Sequence, residues 1–297
     1  MFSLSETKKY MKSRTLQRRM RIFISIVIGL IAILYALFPI LWVISASLDP
    51  LSMLATQNII PQNASLINYS RLLSDPVNPF LLWMRNSIKI SIITSSLAVF
   101  ITALGAYAFS RFRFRGRRSL LISILLAQVF PNMLAVVAIF LIMQQIGRYI
   151  PSMGLNSHGG LILVYLGGIL GGNVWLMKGF FDSIPRDLDE SAMIDGASHW
   201  QAFRWIILPL VRPMLVVIGI LAFIASYGDV ILARVMIKSA EQYTLGVGLW
   251  MFIDGWYTVK WGPFAAGALL AAAPVIILFY LLQDWIVSGL TQGAVKG

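Results

Sequence analysis

Between its fourth and fifth apolar runs the chain reads FDSIPRDLDESAMIDGASHWQAFRWIILPLVRP, a connection that is neither simply basic nor simply apolar. Pro185 suits a first helical turn, Asp187, Asp189 and Glu190 complement the positive end of a helix dipole, and Gly196 offers a stop. The pattern predicts a short helix of about ten residues. Ser198 followed by Gln201 has capping-box spacing and predicts a second short helix running toward Pro209, where the next span begins. On the first helix Leu188, Ala192 and Met193 fall near one face with Asp189 and Glu190 beside them. An apolar ridge edged by acid fits a groove on another protein; a solvated acidic face is the plainer reading of the same carboxylates. The chemistry here is docking.

Catalytic chemistry has little to work with. There is no cysteine, so disulfides, iron–sulfur clusters and thiolate metal sites are excluded. The two histidines, His158 and His199, fall on opposite sides of the membrane in the topology below, so they form neither a metal pair nor a dyad. No GxxxxGK[ST] loop is present to cradle a nucleotide's phosphates. The chain reads as no enzyme, with no catalytic, cofactor or metal residues of its own, and ATP hydrolysis falls to another chain.

The elements that position the segment are membrane spans. Of 297 residues 58% are hydrophobic and 12% charged, and the mean hydropathy is +0.79, far from a soluble domain. Apolar runs near 22–46, 86–110, 119–143, 159–181, 207–227 and 263–287 each reach the ~20 residues a helix needs to cross the hydrocarbon core. The expectation is an all-α integral membrane protein with six transmembrane helices. Residues 1–21 form a basic amino terminus, 22–46 the first helix, 47–83 an external loop, 84–287 a five-helix core containing segment 183–209, and 288–297 a tail. The first run exceeds a cleavable signal core and reads as a retained anchor, although Ser45-Ala46-Ser47 mimics a cleavage site.

Orientation follows from the basic residues. Seventeen of the 24 lie in residues 1–21, 111–118 and 178–212 and at Lys296, all on one side, so the positive-inside rule puts both termini in the cytoplasm. The net charge of +12 is explained by these span-end clusters rather than by nucleic acid. Asn63-Ala64-Ser65 matches a glycosylation acceptor only by chance frequency.

Within the spans, Gly167, Gly168, Gly171 and Gly172 make two overlapping GxxxG spacings, suited to packing inside this subunit or to a crossing with a second one. Pro39, Pro131 and Pro274 remove backbone donors in mid-span. Only Asp284 places a carboxylate inside a span, near its end, which weakens ion-coupled transport without removing it. The external stretch with Trp250, Phe252, Trp256, Tyr257 and Trp261 reads either as an interfacial aromatic belt or as a loop that probes a binding protein.

Glu190-Ser191-Ala192, Asp195-Gly196-Ala197 and the Ile206-Ile207-Leu208-Pro209 ending together resemble the EAA loop of ABC-importer permeases, with Ser191 in place of the first alanine. The tail GLTQGAVKG, the six spans and the extra first helix are similar to the carbohydrate-uptake branch, of MalG (maltose/maltodextrin) type. The resemblance implies the type I ABC-importer permease fold in a bacterial inner membrane. It makes Glu190, Ser191, Ala192, Asp195, Gly196, Ala197, Leu208 and Pro209 the coupling contacts to an ATPase. Gly293, Ala294, Val295, Lys296 and Gly297 become a tail between ATPase subunits, and Trp250, Phe252, Trp256 and Tyr257 the binding-protein loop. Implied partners are a MalF-like second permease, two MalK-like ATP-binding subunits carrying ATP and Mg, an extracytoplasmic sugar-binding protein, and lipid. The function so implied is ATP-driven import of maltose, maltodextrin, trehalose or a related oligosaccharide; the alternative is an ion-coupled or passive carrier.

Overall fold

The computed structural model describes residues 4–50, 61, 63–129, 132–255 and 259–294. Every regular element among them is helical. Among the described residues five stretches are long and apolar enough to cross a membrane: Arg18–Leu48, Phe80–Arg111, His158–Asp182, His199–Tyr227 and Trp261–Trp285. The first belongs to α1 (Leu4–Leu48) and the last to α12 (Trp261–Ala294), while α3 (Phe80–Arg111) and α6 (His158–Asp182) are spans in their own right.

The third run departs from expectation. Instead of one continuous helix over 119–143 there are two, α4 (Arg117–Val129) and α5 (Asn132–Tyr149). Together they make a sixth candidate span, bent by 111°. The gap in the sequence holds Pro131, itself outside the described residues, and a proline denies a helix both a donor and the room for its ring. Pro39 and Pro274, by contrast, lie inside α1 and α12 without ending them.

Contacts divide the chain into two units, residues 1–69 with 260–269 and residues 70–259 with 270–297. In the first, most of α1 from Met20 to Ile44 presents large apolar side chains outward, Leu34 at 68% and Tyr35 at 83% exposure. A helix apolar all round is matched to lipid or to other helices, not to water. Its end is pinned by Asn68, whose Nδ2 donates to the Ser47 and Asp49 carbonyls at 3.0 and 2.8 Å. The Tyr69 hydroxyl donates to Ser47 Oγ at 2.9 Å.

The second unit is built around α3, which packs on α6 and on α9 (Leu208–Tyr227). Small residues permit this: Ala98, Thr102, Ala103 and Ala106 are buried along α3, and a Cβ on Gly219 of α9 would press to 3.2 Å from Val99. At one end Met177, Phe181, Phe203, Ile207, Val211 and Ile218 close a core with Ala103 and Ala106. At the other, Ile90, Met143, Leu161, Tyr165, Met236 and Val247 form a second core. Of the glycine pairs in α6, Gly171 meets the Gln128 side chain of α4, whereas Gly167 and Gly168 face open space.

The stretch between the fifth and sixth apolar runs is largely folded back. It forms α10 (Ile231–Met236), a 3-10 turn at Ala240–Gln242 and α11 (Leu245–Trp250). Trp83 Nε1 donates to the Ala240 carbonyl at 2.9 Å, Asn86 Nδ2 to those of Glu241 and Tyr243, and Leu245 N–H to Ser87 Oγ at 2.7 Å. Polar residues that make the start of α3 look weak as a span satisfy the backbone of this return.

Candidate functional site

The segment after α6 folds as helix, glycine turn, helix. The first helix, α7 (Asp187–Ile194), carries Asp187, Asp189 and Glu190 in its first turn, where the exposed N–H groups favour carboxylates. It ends in a Schellman turn: Ala197 N–H donates to the Ala192 carbonyl at 2.9 Å and Gly196 N–H to that of Met193 at 3.1 Å. Gly196 has φ +88°, a left-handed backbone that costs a side-chain-bearing residue about 1–2 kcal/mol. The second helix, α8 (His199–Ala202), opens on a complete capping box, Ser198 N–H donating to Gln201 Oε1 at 2.7 Å and Gln201 N–H to Ser198 Oγ at 3.3 Å. A π-helical turn at Phe203–Ile207 then runs straight into α9, so the segment and the span are one rod. Leu208 is partly buried and Pro209 exposed at this junction, where a proline early in α9 removes no hydrogen bond the helix needs.

Asp189 does not edge an exposed ridge as the spacing suggested; it turns inward. Its Oδ2 lies 2.5 Å from Arg111 Nε, both side chains being 7% exposed. Arg111, the last residue of α3, also donates to the carbonyls of Phe181 at 3.2 Å and Ile184 at 3.1 Å. Around it, Arg186 Nη2 donates to the Ser110 carbonyl at 3.0 Å, and Ser110 Oγ donates to Asp182 Oδ1 at 2.6 Å. The Tyr107 hydroxyl donates to the His199 carbonyl at 3.3 Å, with its ring 4.8 Å from that of Phe203. The end of α3 thus grips α6, α7 and α8 through Tyr107, Ser110 and Arg111, of which only Arg111 entered the sequence reading, as one of the counted basic residues. No local spacing links residue 111 to 189, so sequence reasoning had no signal for the pair.

What remains outward on α7 is partly apolar. Ile194 is 86% exposed, Leu188 41% and Met193 36%, with Glu190, Ser191, Asp195 and Gly196 exposed beside them and Ala197 partly buried. Ala192 faces the other way, 6% exposed, against this chain itself. The outward side of α7 is thus an exposed, partly apolar ridge on a helix locked at its base. Among the described residues no cluster of three or more His, Cys, Asp or Glu could hold a metal. His199 stacks edge-on with Phe112, and His158 Nε2 pairs with the Gln242 carbonyl at 2.9 Å.

At the other end, Trp250 is exposed with the Arg234 guanidinium 5.2 Å over its ring, and Arg234 is paired with Asp254. Phe252 is buried against Trp83, 6.4 Å between ring centres, so it supports the return segment rather than facing outward. Trp256 and Tyr257 lie outside the described residues. In the tail α12 reaches Ala294, so Gly293 and Ala294 are helical, while Val295, Lys296 and Gly297 lie outside the described residues.

Residues 98–292, which include the whole segment and most of the bundle, match the family described as binding-protein-dependent transport system inner membrane component. The chain belongs to this family. Such inner membrane components are multi-pass permease subunits of binding-protein-dependent importers, in which separate ATPase subunits hydrolyse ATP, and this chain is one of them. It is 42% identical over 272 residues to the maltose/maltodextrin transport system permease protein MalG of Vibrio vulnificus, covering 88% of this chain and 91% of the relative. With the MalG proteins of Yersinia pestis and Escherichia coli K12 the identity is 40%, covering 98% and 94% of this chain and 100% and 97% of theirs. In structure the permease resembles a chain of a bacterial ABC transporter that imports alginate, with TM-score 0.74, 25% identity, and 96% and 99% coverage. A second alginate-transporter chain, crystallised with a periplasmic protein, shares the fold at 14% identity and TM-score 0.62, with 91% and 94% coverage.

Proposed function

We propose that this permease imports a maltodextrin-type oligosaccharide and receives the ATPase stroke through residues 185–209. The observation that carries the coupling assignment is the join of opposites in α7: an outward apolar ridge ending in Ile194, and an inward Asp189 tied to Arg111 at 2.5 Å. A force applied to the ridge passes into α3 through the ion pair and into α9 through the continuous α8–π–α9 rod. Glu190, Ser191, Asp195 and Gly196 form the contacting rim. Ala192, Ala197, Leu208 and Pro209 shape and carry it.

In this reading two MalK-like subunits, holding ATP and Mg, receive α7, and the tail from Gly293 to Gly297 reaches between them. A MalF-like permease completes the path, and a sugar-loaded binding protein docks outside against the stretch that includes Trp250, Trp256 and Tyr257. Both termini are cytoplasmic. The high identity to MalG proteins over nearly the full chain supports the oligosaccharide and these partners.

The test is binding-protein-stimulated ATP hydrolysis and maltodextrin uptake by the reconstituted complex, comparing the native chain with Glu190→Lys and Gly196→Asp. Loss of stimulation and uptake together in variants that still assemble is the expected result. Unchanged activity in both would sink the coupling assignment, while stimulation by a binding protein loaded with an unrelated solute would sink the sugar class alone.

A further inference from the structure

A long groove lies between α3, α9 and the part of α12 from Pro274 to Trp285, with a cavity volume of about 1430 Å³. From Ile88 to Leu104 along α3 it extends about 24 Å, at ~1.5 Å per helical residue. That exceeds the ~15 Å depth of one leaflet, half of a ~30 Å hydrocarbon core. Its walls are aliphatic and aromatic along most of that length, with the Ser95 and Ser96 hydroxyls the only small polar groups among the described lining residues. A sugar's hydroxyls would find few partners there.

The charged groups lie toward the start of α9. Arg204 and Arg212 line the groove, with Trp200 and Trp285 beside them. The Arg212 guanidinium sits 4.7 Å over the Trp285 ring and that of Arg204 5.1 Å over Trp205. Both arginines are exposed, and among the described residues no carboxylate lines the groove and neither arginine is in a salt bridge. By the positive-inside assignment this end is cytoplasmic. A basic, tryptophan-flanked mouth on a leaflet-deep apolar trough is complementary to an anionic headgroup with its acyl chains. Arg212 lies one turn inside α9, at the edge of the apolar trough, where a charge without a counter-ion is costly. A phosphate brought to it, with the indole face behind, relieves that cost.

We propose that this groove binds an anionic phospholipid of the cytoplasmic leaflet, its phosphate held by Arg204 and Arg212 and an acyl chain lying along α3 and α9. The lipid fills the space between three spans and so sets how closely α9 and α12 approach α3. It is a fixed part of the permease rather than cargo.

The assembled transporter would be purified from membranes containing phosphatidylglycerol and phosphatidylcholine, and its retained lipid counted by native mass spectrometry. Arg212→Gln should reduce retained phosphatidylglycerol roughly fivefold, the factor corresponding to ~1 kcal/mol per basic residue near anionic lipid, and leave phosphatidylcholine unchanged. Val216→Trp, which fills the trough without altering charge, should displace the same lipid. A benzophenone side chain at position 277 should cross-link to lipid in the native background. Unchanged phosphatidylglycerol in either variant would overturn the proposal, as would a cross-link to a polypeptide, which would make the groove a seat for a neighbouring helix. None of these readouts depends on which solute is transported.

Discussion

Arg111 Nε and Asp189 Oδ2 meet at 2.5 Å with both side chains 7% exposed, joining the last residue of α3 to the first turn of α7. A charge pair so dry is held by its mutual attraction and by the Phe181 and Ile184 carbonyls that accept from the guanidinium. Removing one partner leaves the other desolvated and alone, a change that typically costs about 3–5 kcal/mol.

Asp189→Asn and Arg111→Met should therefore each lower the thermal stability of the purified subunit assembly by an amount of that order, read as a fall in Tm or in the yield of folded complex. The double variant Arg111→Met/Asp189→Leu leaves no buried charge unpaired and should regain most of the loss. If it regains stability and yet fails to transmit binding-protein stimulation to ATP hydrolysis, the pair is a transmission link. Full activity in the double variant would reduce it to a packing device.

Gly196 isolates a backbone effect from a steric one. A Cβ there would meet nothing within 4 Å, and the φ of +88° is the whole obstacle. Gly196→Ala should cost about 1–2 kcal/mol of local stability, and Gly196→Asn less, because asparagine visits the left-handed region more readily. Hydrogen exchange of the Gly196 and Ala197 amides, the donors of the Schellman turn, would measure it: faster exchange in the alanine variant than in the asparagine variant is expected. Equal rates would mean that the turn does not rely on the glycine.

Much of this unit is legible without coordinates because its signals are local. Ser198 and Gln201 predict a capping box, and Gly196 a helix stop, from spacings of a few residues; the bonds are present. The apolar runs likewise locate the spans, 159–181 against His158–Asp182 and 207–227 against a helix from Leu208 to Tyr227. What stays hidden is long-range. Asp189 reads as an exposed acid until Arg111 is brought to it, and Phe252 reads as an outward aromatic until Trp83 covers it. The polar start of α3 makes sense only once Trp83, Asn86 and Ser87 are seen bonding to the returning chain near 240–245.

That return supplies a test at the opposite end of the bundle. A Cβ on Gly248 would fall within the Trp83 indole, well inside van der Waals contact. Both residues are buried, and Trp83 is 1% exposed and anchored through Nε1 to the Ala240 carbonyl. Gly248→Ala should displace the indole and cost about 1–3 kcal/mol, as overpacking typically does. Trp83→Phe/Gly248→Ala, with the smaller ring, should recover part of it. Limited proteolysis between residues 229 and 255 reports the outcome, and equal resistance in Gly248→Ala and the native protein would show that the return segment does not depend on this contact.

Ile194 offers the sharpest separation of docking from folding. At 86% exposure it buries almost nothing within this chain, so Ile194→Ser should leave the stability of the permease within ~0.5 kcal/mol of native, as surface substitutions usually do. If its side chain instead enters a cleft on an ATPase subunit, the serine forfeits roughly 2 kcal/mol of apolar burial, which corresponds to about thirtyfold in affinity. Pull-down of the ATPase subunit by tagged permease, across a dilution series, would read that shift directly. Glu190→Lys probes the same rim by charge and should weaken the complex in a manner that salt relieves, whereas the Ile194 effect should be insensitive to salt. Loss of permease stability in Ile194→Ser, with affinity intact, would mean that the exposed end of α7 serves the fold and that docking occurs elsewhere on the chain.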